Sequence, residues 1–484
     1  MSFLSRFSTP TSVPASARPS ARESPAEASP SPGRPTEAGG RESSQSDQSP
    51  TPRVRAKRPT GSATEAGGES AGQVADWPPA ELRPVSPWAP LRLPLFRVFW
   101  VASLASNLGT WIHEVGAGWL MTTLDGTPEM VAAVRTCMAL PIVVLAIPAG
   151  VLADRLDKRR LLMATQALLL LVTALLACLT AMERVTPIGL LLLTFVIGLG
   201  MVVHVPTWQA SVPELVPRRQ IPQAVGLGSI SFNLARAVGP ALGGLLIAGV
   251  GIWSAFAVNA MSFAMVLAVL IGWRRTTTES SGGRSFLRST RQGIRFAVRN
   301  PVMRHVMIGV MLFVLPASAL WSLLPLFAKT RLGWGPQGFG VLVGTIGLGA
   351  VLGAAVLPRM RRAMGSDRLL GCSMGIFASG LVVLSILPSG PWVLVSTILL
   401  GMGWMATLTT LNATAQITLP QRLRARGMGC YLTMMAGSMA AGSFLWGQVA
   451  GQWGLSAAQM IAAIALVVTS FVRQAFPLRT SLDH

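Results

Sequence analysis

The sequence predicts an all-α membrane protein, with a disordered N-terminal tail followed by twelve transmembrane helices in two halves of six. Three observations lead to this fold class. Apolar residues make up 51% of the chain and charged residues only 12%, with a mean hydropathy of +0.52. The basic residues after residue 90 stand in short clusters between long apolar runs. From Arg97 onward these runs reach about 20 residues, the length that crosses a bilayer.

Residues 1–90 differ in composition from the rest of the chain. They hold 15 of the 34 prolines and 16 serines, with 10 basic against 9 acidic side chains. A segment of this kind cannot bury enough apolar surface to offset the entropy of ordering. We therefore expect a disordered cytoplasmic tail. No basic region followed by an apolar core and a cleavage site is present there, so we expect no cleaved signal peptide.

The apolar runs define the domain boundaries. Six spans form an N-terminal half over 91–272, a basic cytoplasmic linker covers 273–302, six further spans form a C-terminal half over 303–476, and a short cytoplasmic tail covers 477–484. The predicted spans are 97–121, 130–153, 160–182, 187–211, 222–249, 251–272, 303–329, 336–358, 368–388, 391–418, 427–448 and 453–475.

Basic residues are distributed unequally between the two sides of these spans. Of the 30 Lys and Arg after residue 90, 25 fall on the side that carries the linker and both termini, three fall on the other side, and Arg135 and Arg236 lie within spans. The positive-inside rule therefore places both termini in the cytoplasm of a bacterial inner or plasma membrane protein. Topology accounts for the net charge of +21, and no nucleic-acid partner is expected.

Glycine positions recur between the two halves. Gly226 at the start of span five corresponds to Gly427 at the start of span eleven, an offset of 201 residues. Gly150 at the end of span two corresponds to Gly353 at the end of span eight, an offset of 203. Two positions at nearly one offset indicate a duplicated six-helix unit, the parallel repeat of transporters that hold a substrate path between their halves.

The connection between spans two and three reads GVLADRLDKRRLL over 150–162. Gly150 permits close helix approach, and Asp154 is an anion that can contact a helix N-terminus or an arginine. With Arg155 and Arg159 they form a predicted conformational latch, which holds one state and breaks in the other. A stop-transfer cluster with incidental acids is the alternative.

Span five contains SISFNLARAVGPALGGLL over 229–246. Pro240 removes a backbone donor, while Gly239, Gly243 and Gly244 let a neighbouring helix pack closely. The segment is therefore a predicted helix-bend motif, and a simple packing seam is the alternative.

These two segments resemble motifs of the major facilitator superfamily, the loop G-x-L-a-D-R-x-G-R-[KR] and the exporter motif G-P-x-x-G-G. Asp157 stands where the family loop has its second glycine. With PELVPRRQIPQAVG over 213–226 and LFRVFWVASLASNLGTWIHEVGAGWLM over 95–121, the chain resembles the enterobactin-exporter-like branch, also called transmembrane secretion effectors, over about 91–475. The resemblance implies the major facilitator fold, efflux rather than uptake, and a siderophore, a macrolide-like drug or another secondary metabolite as solute.

Charged residues inside spans are costly and are therefore candidates for function. Glu114 is the acidic residue well inside a predicted span, and a carboxylate among apolar side chains can take up and release a proton. We expect it to couple transport to protons. The alternatives are a structural pairing with Arg236 or Arg135, and a position near the outer mouth without a coupling role.

Arg236 lies near the middle of span five, with Asn233 three residues earlier on the same face. It could bind an anionic solute or hold a structural carboxylate. For each candidate, helix packing is the alternative to solute binding. The predicted substrate-binding residues are Asn107, Trp111, Trp208, Asn233, Arg236 and Asn412.

The function expected from these features is secondary active export by alternating access, as a proton antiporter. No G-x-x-x-x-G-K-[ST] loop is present, so an ion gradient is the expected energy source. Four single cysteines and four unpaired histidines predict no metal, no cofactor and no catalytic centre. We expect a monomer whose partners are a small-molecule substrate, protons and the bilayer. The alternatives are a non-transporting sensor or scaffold with the same fold and a polytopic membrane enzyme.

Overall fold

The computed structural model describes residues 86–273, 294–387, 389–420 and 424–478. Over these residues the chain forms α-helices and three short 3₁₀ turns, with no strand. The predicted tail up to residue 85 and most of the predicted linker lie outside this part of the chain. The helices are α1 Pro94–Leu124, α2 Pro128–Arg155, α3 Lys158–Ala181, α4 Pro187–Ser211, α5 Ile221–Val250, α6 Ile252–Gly272, α7 Pro301–Thr330, α8 Pro336–Ile386, α9 Gly390–Thr418, α10 Arg424–Trp453 and α11 Leu455–Gln474.

Nine segments within the described ranges are long and apolar enough to cross a membrane. α1 and α10 fall outside this group because polar residues and glycines interrupt their apolar runs. The predicted class, an all-helical protein that crosses the membrane several times, is confirmed.

α8 is hydrogen-bonded through 51 residues but breaks at Gly365, where φ is 70° and ψ is 171°. Glycine adopts this backbone conformation without the steric penalty that a Cβ would bring. The break divides α8 into two limbs at the place where the sequence predicts spans eight and nine. The first limb continues beyond the predicted end at residue 358, because Arg and Met at 359–364 are good helix formers.

Helix ends follow from local sequence, and they repeat between the halves. Proline occupies the first position of α1, α2, α4, α7 and α8, where its missing N–H costs no helical hydrogen bond. Gly251 and Gly454, with φ of 114° and 86°, end α5 and α10. Gly251 precedes α6 and Gly454 precedes α11, and the duplication stays a prediction.

The two halves, α1–α6 and α7–α11, contact each other closely at the end of the bundle that carries the α1–α2 connection. A Cβ on Gly244 of α5 would lie only 2.6 Å from the carbonyl oxygen of Pro336, and one on Gly340 of α8 only 2.7 Å from that of Pro240. Lys329 Nζ donates a hydrogen bond to the Thr122 carbonyl. We call this the closed end, and the α5–α8 contact the seam.

Toward the opposite end, which we call the open end, α5 and α10 leave faces uncovered, and we call the space beside them the gap. Where a Cβ would stand on Gly226 or Gly228 of α5, or on Gly429 of α10, no heavy atom of the described chain lies within 4 Å. Phe232 and Leu234 of α5 expose 48% and 46% of their surface. Because they are two residues apart, they lie on nearly opposite sides of the helix. α5 is therefore uncovered on more than one face here, as a helix beside an open gap must be.

The end of α11 is anchored inside the second half. Arg473, only 3% exposed, donates hydrogen bonds to the side chain and the carbonyl of Asp367, both at 2.9 Å. The backbone N–H of Leu478 donates to the same carboxylate at 3.0 Å, and His305 Nδ1 lies 2.9 Å from the Pro477 carbonyl. Residues 477–478 thus pack on the starts of α7 and of the second limb of α8.

We expect Gly244→Ala to lower the free energy of unfolding by about 1–3 kcal/mol, since its Cβ would meet rigid backbone across the seam. The measurement is thermal unfolding of the purified protein in lipid nanodiscs. Gly249→Ala is the matched control, because the same helix leaves open space at that residue. Equal unfolding temperatures for the two variants would show that the seam is loosely packed.

Candidate functional site

A polar strip runs along the contact between α1 and α5. Asn107 Nδ2 donates a hydrogen bond to Ser231 Oγ at 3.0 Å, which ties α1 to α5. The Arg236 guanidinium stands over the Trp111 ring, 6.0 Å from its centroid. This distance permits a cation–π contact, so the positive charge is held at a defined place in an apolar layer.

Spacing and close packing bring these side chains together. Asn107 and Trp111 are one helical turn apart, so they share a face of α1. Gly239 allows α5 to approach that face, because a Cβ there would lie 2.7 Å from the Trp111 Cβ. Asn233 donates to the Ser229 carbonyl of its own helix at 2.8 Å and is exposed, so its amide oxygen faces open space.

A partly buried ion pair lies between this strip and the closed end. Arg135 Nη1 of α2 stands 2.9 Å from Glu114 Oε2 of α1, and the two side chains are 27% and 22% exposed. The Arg135 guanidinium also lies 5.9 Å from the centroid of the Trp321 ring, which belongs to α7 in the other half. The negative charge of Glu114 is close enough to attract Arg236 as well.

A small cavity of about 30 Å³ adjoins this ion pair, enough for roughly one water molecule. Its walls come from both halves. Three polar atoms in the walls, His113 Nδ1, Thr194 Oγ1 and Trp321 Nε1, have no hydrogen-bond partner among the described residues. The surroundings of Glu114 can therefore accept a water molecule, through which a proton could pass.

The glycine and proline motif of α5 is built into close helix contacts. A Cβ on Gly243 would lie 3.2 Å from the Ile112 Cα, so α5 rests on α1 at this residue as it does at Gly239. Gly244 and Pro240 meet α8 at the seam. The motif thus forms the packing seam left open as an alternative, and a bend at Pro240 stays a prediction.

The predicted latch is described at one of its four residues. Arg159 donates from Nε to the Leu270 carbonyl at 2.9 Å and from Nη2 to the Ile271 carbonyl at 2.7 Å, so it satisfies acceptors at the end of α6. Gly150, Asp154 and Arg155 belong to the end of α2, and their side chains are outside the described part. The latch stays a prediction.

Asp157 explains how this connection turns without the family's second glycine. Its side chain accepts a hydrogen bond from the Arg160 backbone N–H at 2.8 Å and caps α3. Its φ of −59° is open to any residue, so no glycine is required.

Two predicted substrate-binding residues lie apart from the polar strip. Trp208 stacks on Phe99 at 5.6 Å within an apolar cluster of the first half, next to His204 at 5.8 Å. Asn412 lies on α9 in the second half, where its amide oxygen accepts from Gln416. A solute role for either stays a prediction.

Arg135 is one of the two partners that the sequence predicts for Glu114, whereas Trp321 is not among the residues that it predicts. A usable signal for the pair was present. Glu114 and Arg135 stand at similar distances before and after the short connection at 125–127, so antiparallel neighbours bring them to similar depth. Trp321 comes from the other half, and no local pattern points to it. Within the described residues no group of three or more His, Cys, Asp or Glu could hold a metal ion.

The profile of a family described as transmembrane secretion effector matches residues 85–483. Two curated relatives resemble the chain. The staphyloferrin A transporter of Staphylococcus aureus is 25% identical over 59% of this chain and 72% of its own length. The multidrug efflux pump Tap of Mycolicibacterium fortuitum is 27% identical over 81% of this chain and 97% of its own length.

Solved structures of transporters share the fold. A bacterial homologue of the human lysosomal transporter Spinster, in an inward-facing and occupied conformation, matches with a TM-score of 0.65 and 13% identity over 80% of this chain and 98% of that one. A bacterial homologue of the iron transporter ferroportin, in an inward-facing state, matches with a TM-score of 0.61 and 14% identity over 79% and 99%.

A double-mutant cycle should separate the Glu114–Arg135 pair from an ordinary surface pair. We expect Glu114→Gln and Arg135→Gln to show a coupling energy of about 0.5–3 kcal/mol in unfolding, with little change when salt is added, because the apolar layer excludes ions.

The Lys158–Glu214 pair is the matched control, with the same 2.9 Å distance and side chains 24% and 26% exposed. It lies at the end of the bundle, so its coupling should stay below about 1 kcal/mol and fall with salt. Equal salt sensitivity of the two pairs would place Glu114 in water rather than in the apolar layer.

Proposed function

The chain belongs to the transmembrane secretion effector family of the major facilitator superfamily, and from this premise we propose that it exports a small organic molecule from the cytoplasm by proton antiport. The observation that carries the proposal is a pair of charged contacts, Arg236 over Trp111 and Glu114 with Arg135, within two groups of helices that meet at the seam and leave faces uncovered at the open end. A scaffold would not need charges in an apolar layer, where they are costly. The staphyloferrin A transporter among the relatives supports transport, and the multidrug efflux pump Tap supports export.

We propose that the described helices and the limbs of α8 form twelve spans, in the halves 91–272 and 303–476. The open end is the end that carries the basic clusters, such as Lys158, Arg159 and Arg160 at the start of α3. By the positive-inside rule this end faces the cytoplasm, with both termini on that side and the tail and linker beside it. The structure then corresponds to the state that loads solute from the cytoplasm, and transport requires the seam to open.

Glu114 is the proposed proton carrier. When its carboxylate takes up a proton, Arg135 loses its anionic partner, and the guanidinium that contacts Trp321 of the other half is free to move. Protonation would thus weaken a contact between the halves near the closed end. Because Glu114 also attracts Arg236, the same proton changes the charge that a bound solute meets. Antiport requires that the proton and the solute compete, and here both would act on the charge near Glu114 and Arg236.

Arg236 is the proposed contact for an acidic or strongly polar group of the solute. Trp111 offers a flat apolar surface beside it, and the amides of Asn107 and Asn233 lie on the same strip. Trp208 and Asn412 complete the proposed binding set in a different conformation. Gly150, Asp154, Arg155 and Arg159 remain the proposed latch at the cytoplasmic end, and Gly239, Pro240, Gly243 and Gly244 the proposed bend.

The test is efflux of a panel of dyes, macrolides and catecholate siderophores from cells that express the chain, with and without a protonophore. Export of one or more members should stop when the protonophore is added. Protein folded in the membrane that exports no member in a gradient-dependent way would contradict the proposal.

Glu114→Gln should reduce the initial rate of gradient-driven export at least about tenfold, since the amide cannot carry a proton. Exchange of labelled for unlabelled solute, which needs no net proton movement, should persist. Glu183→Gln, an exposed acid on the α3–α4 connection, is the control and should export at the wild-type rate. Gradient-driven export at full rate by Glu114→Gln would remove Glu114 from the coupling step.

Arg236→Gln should raise the half-saturating concentration of anionic solutes about tenfold, whereas Arg236→Lys, which keeps the charge, should raise it less. Neutral solutes should be exported as before. The measurement is initial efflux rate against internal concentration for one anionic and one neutral member of the panel. A similar loss for both would assign Arg236 a purely structural role.

A further inference from the structure

A larger cavity, of about 490 Å³, shares no lining residue with the polar strip. Val143 of α2 forms its first-half wall, and α7, α10 and the helical residues 294–299 before α7 form the rest. A volume of this size suits part of a drug-sized molecule.

The wall is apolar and adaptable. Met307, Met311 and Met434 line it, and all other lining side chains except those of Thr433 and Ser438 are aliphatic, a thiol or glycine. Methionine is unbranched and polarisable, so a methionine-rich wall can fit apolar groups of different shapes. No charged side chain lines the cavity, in contrast to the Arg236 strip.

Two polar atoms in this wall point to a ligand. Thr433 Oγ1 and Ser438 Oγ are buried and have no hydrogen-bond partner among the described residues. Ser438 as a whole is 4% exposed. Hydroxyls inside helices commonly bond to the carbonyl one turn earlier, as Thr410 and Thr414 do on α9. Leaving a buried hydroxyl unpaired is costly unless a bound molecule satisfies it.

From these observations we infer that the methionine-lined cavity binds the apolar part of the exported solute, with Thr433 and Ser438 as its hydrogen-bonding groups. This rests on the proposed export function and narrows the substrate class. The solute is amphiphilic, with an aromatic or aliphatic body that fits the cavity and a polar group that stays outside its apolar wall. A small hydrophilic metabolite would leave the cavity wall without a partner.

The test uses the full chain in lipid nanodiscs and the neutral probe N-phenyl-1-naphthylamine, which fluoresces in apolar surroundings and carries one N–H. Gly437→Leu is the filling variant, because Gly437 lines the cavity and a Cβ there would meet only Val143 Cγ2, at 3.8 Å. Gly429→Leu is the matched control on the same helix, where open space surrounds the residue.

We expect wild type and Gly429→Leu to bind the probe alike, and Gly437→Leu to bind at least about tenfold more weakly. Ser438→Ala should weaken binding of the probe but not binding of phenylnaphthalene, which lacks the N–H. No binding by the wild type beyond empty nanodiscs, or equal binding by both leucine variants, would overturn the inference.

Efflux from cells distinguishes a failure of this inference from a failure of the proposed export function. Gradient-dependent export that Gly437→Leu leaves unchanged for every amphiphilic solute would overturn the cavity's role and leave export standing. Probe binding that Gly437→Leu abolishes, in a protein without gradient-dependent export of any solute, would leave a binding cavity but overturn its assignment to an exported solute.

Discussion

The close approach of α5 and α8 at the seam is the constraint on which the rest of this structure depends. Gly244 and Gly340 place two backbones so near each other that neither residue tolerates a Cβ without movement. Between apolar helices in a membrane the hydrophobic effect gives no attraction, so association relies on this kind of shape fit. Since the seam closes one end of the gap, the gap is accessible from the other end alone among the described residues.

The seam and the charged residues are mechanically connected. Gly239, one turn before the seam, rests on Trp111, and Trp111 carries the Arg236 guanidinium on its face. On the other side of the same helix contact, Arg135 joins Glu114 to Trp321 of the second half. A change in the charge of Glu114 and a change in the α1–α5–α8 packing therefore act on neighbouring side chains, and each can favour the other.

The multi-pass helical class could be predicted because bilayer thickness alone dictates the length of apolar runs. The motif around Asp154 and the Gly239–Gly244 segment pointed to the family for a similar reason, since both are local patterns. The partners of single residues were harder to predict. Helix rotation and tilt, which packing decides, determine these partners. They are Arg135 for Glu114, the carbonyls of α6 for Arg159, and Arg135 for Trp321 of the other half. The continuation of α8 to Gly365 was missed because a basic cluster marks the membrane boundary but does not end a helix.

The anchoring of Pro477 and Leu478 on His305 and Asp367 bears on how the protein is made. His305 at the start of α7 and Asp367 after the break in α8 are synthesised more than a hundred residues before Pro477 and Leu478, their hydrogen-bond partners. Arg473, the buried partner of Asp367, arrives at the same late moment. During translation the second half therefore stays incompletely packed until its last helix leaves the ribosome. A fusion partner placed directly after residue 478 would lie next to the contacts that form last.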